Sequence, residues 1–435
     1  MHTLSSLRTG ELAGITRLNI SCELTDFPEE IFALADTLEV LNLSGNALSR
    51  LPDDLPRLHK LKVIFCSDNR FTELPAVLGR CANLEMVGFK ANQIRHVPSA
   101  ALPEKLRWLI LTDNQLTALP AELGRCTRLQ KLMLSGNQLA ELPDEMAACT
   151  QLELIRLAAN RFETLPTWLT ALPRLSWLAY AGNPCSYVHE AAAMAQLTLP
   201  PIAWDELAIQ QVLGEGASGI IYRAEWAATA VAVKVFKGTV TSDGLPHSEQ
   251  AACSVAGAHS GLIPLLGKVS DHPDHTAGLV MALIPPQFVN FAQPPSLASC
   301  TRDCYPADTR FTLPAAIQLA RCIADAVAHL HAQGVMHGDL YGHNILWDGQ
   351  GEGLLGDFGA ASFLPHDENT LALQRLEVRA FGCLLEELLD RCDETHDEHF
   401  AALRALQNRC TQTEVARRPL FDEILVKLTH LRSGC

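Results

Sequence analysis

A repeated leucine pattern occupies the first half of the chain and limits its possible folds more than any other feature of the sequence. Leucines at positions 38, 61, 84, 106, 129, 152 and 175 open successive units of 22 or 23 residues. Most units continue as L-x-x-L-x-L-x-x-N, with the asparagines Asn46, Asn69, Asn92, Asn114, Asn137, Asn160 and Asn183. One such unit cannot bury its own leucines, but stacked units share a continuous core. The pattern therefore predicts a solenoid in which each unit adds one short strand to a concave sheet.

This spacing and the repeated asparagine resemble the leucine-rich repeat. A shortened first unit, residues 15–28, lacks the asparagine and is expected to cap the array at its N-terminal end. An Ala-rich segment, residues 188–197, is expected to form a helix that caps the other end, and the prolines at 200 and 201 end it. We therefore expect a leucine-rich-repeat domain over residues 1–200 and a second domain over residues 207–435.

The variable strand positions of such an array face its concave surface, and many of them are apolar here. They are Val63, Phe65, Met86, Trp108, Ile110, Met133, Leu154 and Trp177. Large exposed apolar patches usually mark interaction surfaces. The sequence therefore predicts that this face docks a protein partner or the chain's own second domain. The alternative is a packed or self-associating face without a specific ligand.

Three cysteines of the array occupy a position that is filled by a core leucine in other repeats. Cys81, Cys126 and Cys149 stand three residues before a repeat-opening leucine, in the slot that Leu58 and Leu172 hold in other units. We interpret them as core thiols without a catalytic or metal-binding role.

Composition excludes several classes of partner. The formal net charge of −15 argues against binding to nucleic acid or anionic membranes, both of which attract concentrated Lys and Arg. The N-terminus lacks an apolar signal core, and no stretch is expected to reach the length of a membrane span. The fourteen cysteines form no paired C-x-x-C clusters, so zinc is not expected. We predict a cytoplasmic protein with reduced thiols.

The second half contains two short acidic signatures. Residues 337–339 read His-Gly-Asp, with Asn344 five residues beyond Asp339, and residues 357–359 read Asp-Phe-Gly. Between them, two apolar steps flank a Gly-rich turn, which is typical of two short strands. Such a hairpin can bring Asp339, Asn344 and Asp357 near one metal–phosphate group, and these oxygen ligands suit Mg²⁺. The alternative is a loop whose Asp, Asn and Gly serve only local turns.

The chain upstream of these signatures contains motifs that are typical of the nucleotide-binding half of a phosphate-transferring site. Gly214, Gly216 and Gly219 form a G-x-G-x-x-G sequence, and apolar alternation predicts a strand on both sides of it. A dinucleotide-binding fold uses the same glycines but needs a helix directly after them. Fifteen residues beyond Gly219 comes Lys234 in the sequence Val-Ala-Val-Lys, and fifteen further comes Glu249 in a predicted helix.

Together these motifs resemble the protein kinase superfamily over residues 207–435. The resemblance implies that Lys234, braced by Glu249, holds the ATP phosphates, and that Asp339 accepts the substrate hydroxyl proton. It implies that Asn344 and Asp357 hold Mg²⁺. It also implies a cofactor-binding set of Gly214, Glu215, Gly216, Gly219, Ile221, Lys234, Met281 and Leu283, in which Met281 is the gatekeeper before the adenine hinge.

Three departures from the kinase pattern stand near the acidic signatures. Gly338 replaces the Arg that normally precedes the catalytic Asp and pairs with a phosphorylated loop, so that switch is not expected. Tyr341 and Gly342 replace a basic residue and a Pro, which weakens charge stabilisation at the transferring phosphate. Only residues 360–376 separate Gly359 from the next helix, and they contain no Ala-Pro-Glu sequence. The segment that docks peptide substrates is therefore expected to be largely missing.

The sequence thus predicts a multidomain α/β protein with a leucine-rich-repeat solenoid followed by a bilobal, protein-kinase-like α+β domain. The predicted function is ATP-dependent, Ser/Thr-directed protein phosphorylation, with the repeats binding the substrate or a partner. One alternative is a pseudokinase scaffold that binds nucleotide and a partner without catalysis. Another is a kinase-fold enzyme that acts on a small molecule.

Overall fold

The computed structural model describes residues 2–195, 199–216, 218–238, 240–241 and 243–432. The chain divides into two compact units between Leu172 and Pro173. Each unit has its own apolar core.

The first unit is the predicted repeat array. A short helix, α1 (Leu4–Arg8), precedes seven strands: β1 (Arg17–Asn19), β2 (Val40–Asn42), β3 (Val63–Phe65), β4 (Met86–Gly88), β5 (Trp108–Ile110), β6 (Lys131–Met133) and β7 (Leu154–Arg156). Each strand pairs in parallel with the next in register, so that Leu109, for example, lies beside Leu132. Short 3-10 turns return the chain between strands. The predicted leucine-rich-repeat solenoid is confirmed.

The repeated asparagines bind the backbone of neighbouring units. Asn137 is buried; its Nδ2 donates to Leu111 O and Leu134 O, both at 2.9 Å, and its Oδ1 accepts from Leu116 N at 3.0 Å. Asn160 makes the equivalent bonds one unit further on. Buried backbone groups need such partners, so the asparagine is required wherever the chain turns out of the sheet.

The concave face is less exposed than the sequence predicted. Five of the eight apolar side chains are buried, namely Val63, Met86, Met133, Leu154 and Trp177. Neighbouring side chains cover one another: the Phe65 ring lies so close over Gly88 that a Cβ there would be 2.5 Å from it, and its edge meets Trp108. A partner-facing position is therefore contradicted for Val63, Met86, Met133 and Leu154, whereas Trp177 belongs to the second unit and is buried there. Phe65, Trp108 and Ile110 remain partly exposed.

The second unit contains strands and helices on both sides of a cleft. Its strands are β8 (Trp177–Ala179), β9 (Pro201–Ala203), β10 (Ala208–Glu215), β11 (Gly219–Trp226), β12 (Thr229–Phe236), β13 (Leu265–Ser270), β14 (Gly278–Ala282), β15 (Val289–Asn290), β16 (Val335–Met336), β17 (Ile345–Trp347), β18 (Gly353–Leu355) and β19 (Ser362–Phe363). Its helices are α2 (Pro184–Ala195), α3 (Pro246–Ala256), α4 (Leu313–Ala332), α5 (Asn369–Leu389), α6 (Glu398–Cys410) and α7 (Phe421–Arg432).

The smaller lobe is a six-stranded sheet in the order β10-β11-β12-β14-β13-β9, together with α3. The larger lobe is helical and carries two small sheets, β15-β17-β18 and β16-β19. Strand β11 begins at Gly219, directly after the glycine sequence, so the chain continues as strand and not as the helix that a dinucleotide-binding fold needs. The predicted bilobal α+β domain is confirmed.

Helix α4 is the core helix of the larger lobe. By length and composition alone its 20 residues could cross a membrane, contrary to the expectation that no stretch would. However, 61% of its most apolar window is buried inside the unit, as expected for the core helix of a folded domain. It is the one helix of this kind among the described residues.

The compact units divide earlier than the predicted domains. The sequence placed the end of the repeats at residue 200, but residues 173–195 pack with the second unit. Residues 201–203, taken from sequence as the start of a linker, add β9 to the sheet of the smaller lobe through parallel pairing with β13. The repeat period follows the positions of the leucines in the sequence, whereas the compact unit follows the packing of the backbone, and the two boundaries differ here.

Candidate active site

The nucleotide half of the site is built around a buried lysine. Lys234, on β12, points into the cleft, and its Nζ lies 2.6 Å from Oε1 of Glu249 on α3 and 3.4 Å from Oδ1 of Asp357. Burial alone would lower the pKa of Lys234, but the carboxylates of Asp357 and Glu249 outweigh it and hold the pKa above its usual value. The ammonium therefore stays charged in a site where a phosphate could replace part of its carboxylate contact.

Asp357 itself is held as a carboxylate. Partial loss of water in the cleft would raise its pKa, but the charge of Lys234 and the N–H of Gly359 hold that pKa below its usual value. Its backbone is left-handed at φ 54°, and its Oδ1 accepts from Gly359 N at 3.2 Å. This turn leaves the carboxyl half-exposed toward the cleft while Phe358 is buried against His337.

The three glycines of the G-x-G-x-x-G sequence are required for different structural reasons. A Cβ on Gly219 would lie 2.5 Å from Val235 O, because β11 and β12 pair closely there. A Cβ on Gly214 or Gly216 would meet nothing within 4 Å. Gly219 is therefore required by the sheet itself, whereas Gly214 and Gly216 leave the room above the cleft that a phosphate chain would need.

A cavity with about 800 Å³ of empty space, part of it open to solvent, lies beneath this loop. It is lined by five residues of the predicted cofactor set: Gly216, Gly219, Ile221, Lys234 and Met281. Gly214, Glu215 and Leu283 lie outside its lining, and Glu215 is exposed and paired with Lys237. The cavity also extends behind Met281 toward α3, where Cys253 and Leu262 line it.

The catalytic half of the site is linked to the nucleotide half by hydrogen bonds. Asn344 Nδ2 donates to both the backbone oxygen and Oδ2 of Asp339, each at 2.9 Å. Asn344 O accepts from Gly356 N at 2.9 Å, and Gly356 immediately precedes Asp357. Three of the predicted site residues, Asp339, Asn344 and Asp357, therefore belong to one connected group, and Lys234 joins it through Asp357.

A buried carboxylate on α5 holds the loop that carries Asp339. Glu377 Oε1 accepts from Gly338 N at 2.8 Å, while its Oε2 accepts from His337 N at 3.3 Å and lies 2.7 Å from His331 Nε2. The sequence predicted that a helix follows residue 376, which would begin at Glu377, but α5 begins at Asn369 and the role of Glu377 was not predicted. An acid within the apolar run of α5 was the available signal.

A second acid–histidine pair could not be found from sequence. His343 Nδ1 lies 2.7 Å from Asp303 Oδ1, and His343 N donates to Asp303 Oδ2 at 2.9 Å. Burial would lower the pKa of His343, but the hydrogen bond and charge of Asp303 raise it. Asp303 lies 40 residues upstream in a stretch without any motif.

The donor set fits a magnesium ion that is bound together with phosphates. Among the described residues, no group of three His, Cys, Asp or Glu side chains is arranged to hold a metal by itself. The candidate ligands are the carboxylate of Asp357 and the amide oxygen of Asn344, whose nitrogen is already engaged with Asp339. Mg²⁺ typically takes one or two protein ligands and completes its shell with water and phosphate oxygens.

The chain after the Asp-Phe-Gly sequence is short. Strand β19 pairs with β16, and only residues 364–368 separate β19 from α5. Ser362 is fully buried; it accepts from Tyr180 N at 3.0 Å and donates to Ala360 O. Residues 360–368, all of which the structure describes, form no extended loop on which a peptide could lie.

Comparison with known families agrees with this architecture. The protein kinase domain family matches residues 207–380, and two leucine-rich-repeat families match residues 104–162 and 37–58. The chain therefore carries leucine-rich repeats followed by a protein kinase domain.

Individual relatives match parts of the chain. It is 32% identical over 184 residues to CBL-interacting protein kinase 22 of Oryza sativa subsp. japonica, covering 40% of each chain. It is 31% identical over 176 residues to human serine/threonine-protein kinase A-Raf, covering 38% of this chain and 24% of that one. It is 22% identical over 270 residues to dual specificity protein kinase pyk3 of Dictyostelium discoideum, covering 53% of this chain and 19% of that one. Each match spans less than half of the relative's own length.

Proposed function

We propose that this protein is an active, ATP- and Mg²⁺-dependent protein kinase that phosphorylates Ser or Thr hydroxyls. The observation that carries the proposal is the connected group from Glu249 through Lys234 and Asp357 to Asn344 and Asp339. Similarity to a human serine/threonine-protein kinase supports the choice of acceptor. A scaffold that had lost catalysis would not need all five side chains held together.

The roles of the residues follow from their chemistry. Bound ATP supplies the phosphoryl group, and Mg²⁺ neutralises the charge on its oxygens. Lys234, held in place by Glu249, would bind the phosphate oxygens, and Asp357 and Asn344 would provide ligand oxygens for the metal. Asp339 orients the substrate hydroxyl and accepts its proton as the new O–P bond forms and the bond to the leaving ADP breaks. Asn344 fixes the rotamer of Asp339 through its Nδ2.

The rival function is a nucleotide-sensitive scaffold, favoured by the short chain after β19. The two functions differ in one measurement. Purified protein is incubated with Mg²⁺ and γ-labelled ATP, with dephosphorylated casein and its own hydroxyls as acceptors. We expect label transfer in the native protein and its loss in Lys234→Met, which removes the ammonium without adding bulk. Nucleotide binding with no transfer in the native protein would establish the scaffold instead.

We further propose that the repeats recruit the protein substrate through the partly exposed part of the concave face, Phe65, Trp108 and Ile110. Trp108 lies at the centre of this group: it contacts the Phe65 ring, and Lys131 Nζ lies 4.4 Å from its ring centroid. Among the described residues, its Nε1 has no hydrogen-bond acceptor. Because this Nε1 is buried, the partly exposed ring is the part of Trp108 that a partner would contact; tryptophan rings are frequent binding hot spots.

Trp108→Ala is expected to raise the KM for a recruited protein acceptor by about tenfold or more, since hot-spot truncation costs about 2 kcal/mol, and to leave kcat unchanged. The acceptor is first identified by label transfer in an extract of the source cells. Casein serves as an acceptor that needs no recruitment, and Trp168→Ala, two repeats further on and outside the β-strands, serves as the matched variant. An equal loss toward casein would show that the substitution acts on catalysis or folding and not on recruitment.

A further inference from the structure

Residues 173–183, which we call the closing segment, lie by sequence within the leucine-rich repeats but pack inside the second unit. The segment contains β8 and continues directly into α2. Its largest side chain, Trp177, is 1% exposed. A repeat residue predicted to face a partner is therefore buried within the kinase-domain unit.

Trp177 contacts the catalytic loop next to Asp339. Its Nε1 donates to Leu340 O at 3.0 Å. Its ring stacks on Tyr341, with 4.1 Å between ring centroids and 8° between the planes. Leu340 and Tyr341 are the two residues after Asp339. The single side chain of Trp177 therefore holds a backbone carbonyl and an aromatic ring of the loop that carries Asp339. Stacked aromatic pairs add about 0.5–1.5 kcal/mol beyond the area they bury.

The backbone of the closing segment explains a departure from the kinase sequence pattern. A Cβ on Gly338 would lie 2.6 Å from Leu178 O and 2.5 Å from Ala360 O, and Gly338 has φ +73°. Any side chain there would collide with backbone on both sides and would also be strained. The arginine expected before the catalytic Asp is therefore excluded by the backbone of Ala360 on one side and of the closing segment on the other.

The segment is anchored on the short chain after the Asp-Phe-Gly sequence. Tyr180 N donates to Ser362 Oγ at 3.0 Å, and Tyr180 Oη donates to Phe363 O at 2.6 Å. Two buried arginines hold its start: Arg379, on α5, donates to Ser176 Oγ, and Arg418 donates to Pro173 O at 2.7 Å. These bonds place the segment against the elements that would otherwise carry a peptide-docking loop.

We propose that the closing segment replaces the missing peptide-docking segment as the support of the catalytic loop, with Trp177 as the positioning residue for Asp339. The loop is then held by a permanent part of the chain and needs no phosphorylated activation loop. This inference rests on the proposed function, because it concerns how Asp339 is held for the same transfer. Small displacements of a catalytic group are costly: about 1 Å can lower the rate about 10²-fold.

The test uses three variants of the full-length chain. Trp177→Leu removes both the stacking and the hydrogen bond. Trp177→Phe keeps a ring for Tyr341 but loses the donor to Leu340 O. Trp168→Leu, in the first unit, is the matched control. For each we measure kcat and KM for ATP with casein, and hydrogen exchange of the amides in residues 335–344.

We expect Trp177→Leu to lower kcat by about 10- to 100-fold, with KM for ATP unchanged and faster exchange confined to the catalytic loop. Trp177→Phe should lie between it and the native protein, and Trp168→Leu should resemble the native protein. A folded Trp177→Leu with native or higher kcat overturns the inference. If that variant does not fold, Trp177→Phe decides, and native kcat with native exchange overturns it.

The outcome is distinguishable from failure of the proposed function. If the native protein transfers no phosphate, the proposed function fails, and hydrogen exchange still reports whether Trp177 holds the loop. If the native protein is active and both Trp177 variants match it in rate and exchange, the proposed function stands and the positioning role is refuted.

Discussion

Asp339→Asn is expected to lower phosphoryl transfer by about 10²–10⁴-fold, the range for loss of a general base, while nucleotide binding is retained. Asparagine has the same shape and keeps an oxygen that can accept from Asn344 Nδ2, as Asp339 does at 2.9 Å. It cannot take up the proton of the substrate hydroxyl. Lys234, Glu249 and the cavity beneath the glycine loop are untouched, so the loss should appear in kcat and not in nucleotide affinity.

The measurement pairs a label-transfer assay with direct titration of nucleotide. Asp308→Asn is the matched control, because Asp308 is exposed and outside the site. Two results would count against the assigned role. Transfer at the native rate would mean that Asp339 is not the proton acceptor, and loss of nucleotide binding would mean that the substitution disturbs the whole site.

Glu377→Gln is expected to lower both stability and transfer. Gln presents an N–H group where Glu377 presents only acceptors, so at least one of its three donors, His331 Nε2, His337 N and Gly338 N, loses its bond in a buried position. Disrupting buried, charge-assisted contacts of this kind costs about 2–4 kcal/mol. The catalytic loop would loosen with them, so kcat should fall together with the free energy of unfolding.

This effect should depend on pH with a definite sign. Burial would raise the pKa of Glu377, but the hydrogen bond and charge of His331 and the Gly338 N–H hold it below its ordinary value of 4.5. A carboxyl whose folded-state pKa is depressed stabilises the protein above its unfolded-state pKa and loses that contribution as pH falls through the folded-state value. The stability difference between the native protein and Glu377→Gln should therefore be full at pH 7 and shrink below about pH 4.5.

Denaturant unfolding at pH 7 and at pH 4 measures this difference. Glu368→Gln, at the exposed start of α5, is the control and should differ little from the native protein at either pH. A difference for Glu377→Gln that stays constant or grows as pH falls would show that its carboxylate is not the stabilising species.

The sequence predicted the elements whose signal is local. The positions of the strands in the array could be predicted from the repeat leucines and asparagines, since each unit makes the same contacts with its neighbours. Lys234, Asp339, Asn344 and Asp357 were found because each stands at a set distance from glycines or from another acid. Glu249 was found because a helix with one well-placed acid leaves no competing candidate.

What the sequence could not show are contacts between distant segments. Trp177 looks like any other variable strand residue of a repeat, and nothing near it in sequence indicates Leu340 or Tyr341. Asp303 lies in a stretch without periodicity, yet it holds His343. The burial of Val63, Met86, Met133 and Leu154 was missed because the concave column was read as open surface, whereas side chains of adjacent units cover one another there.

Residues 173–183 continue the repeat pattern in sequence but pack in the second unit, and this limits how such a chain can evolve. If the repeats and the kinase domain were independent modules, recombination near residue 200 could exchange one array for another without effect on the rest. Here such an exchange would also remove Trp177, Tyr180 and the carbonyl of Pro173 from their contacts. We therefore expect an exchanged array to leave the catalytic loop supported only when its final repeat supplies equivalent contacts.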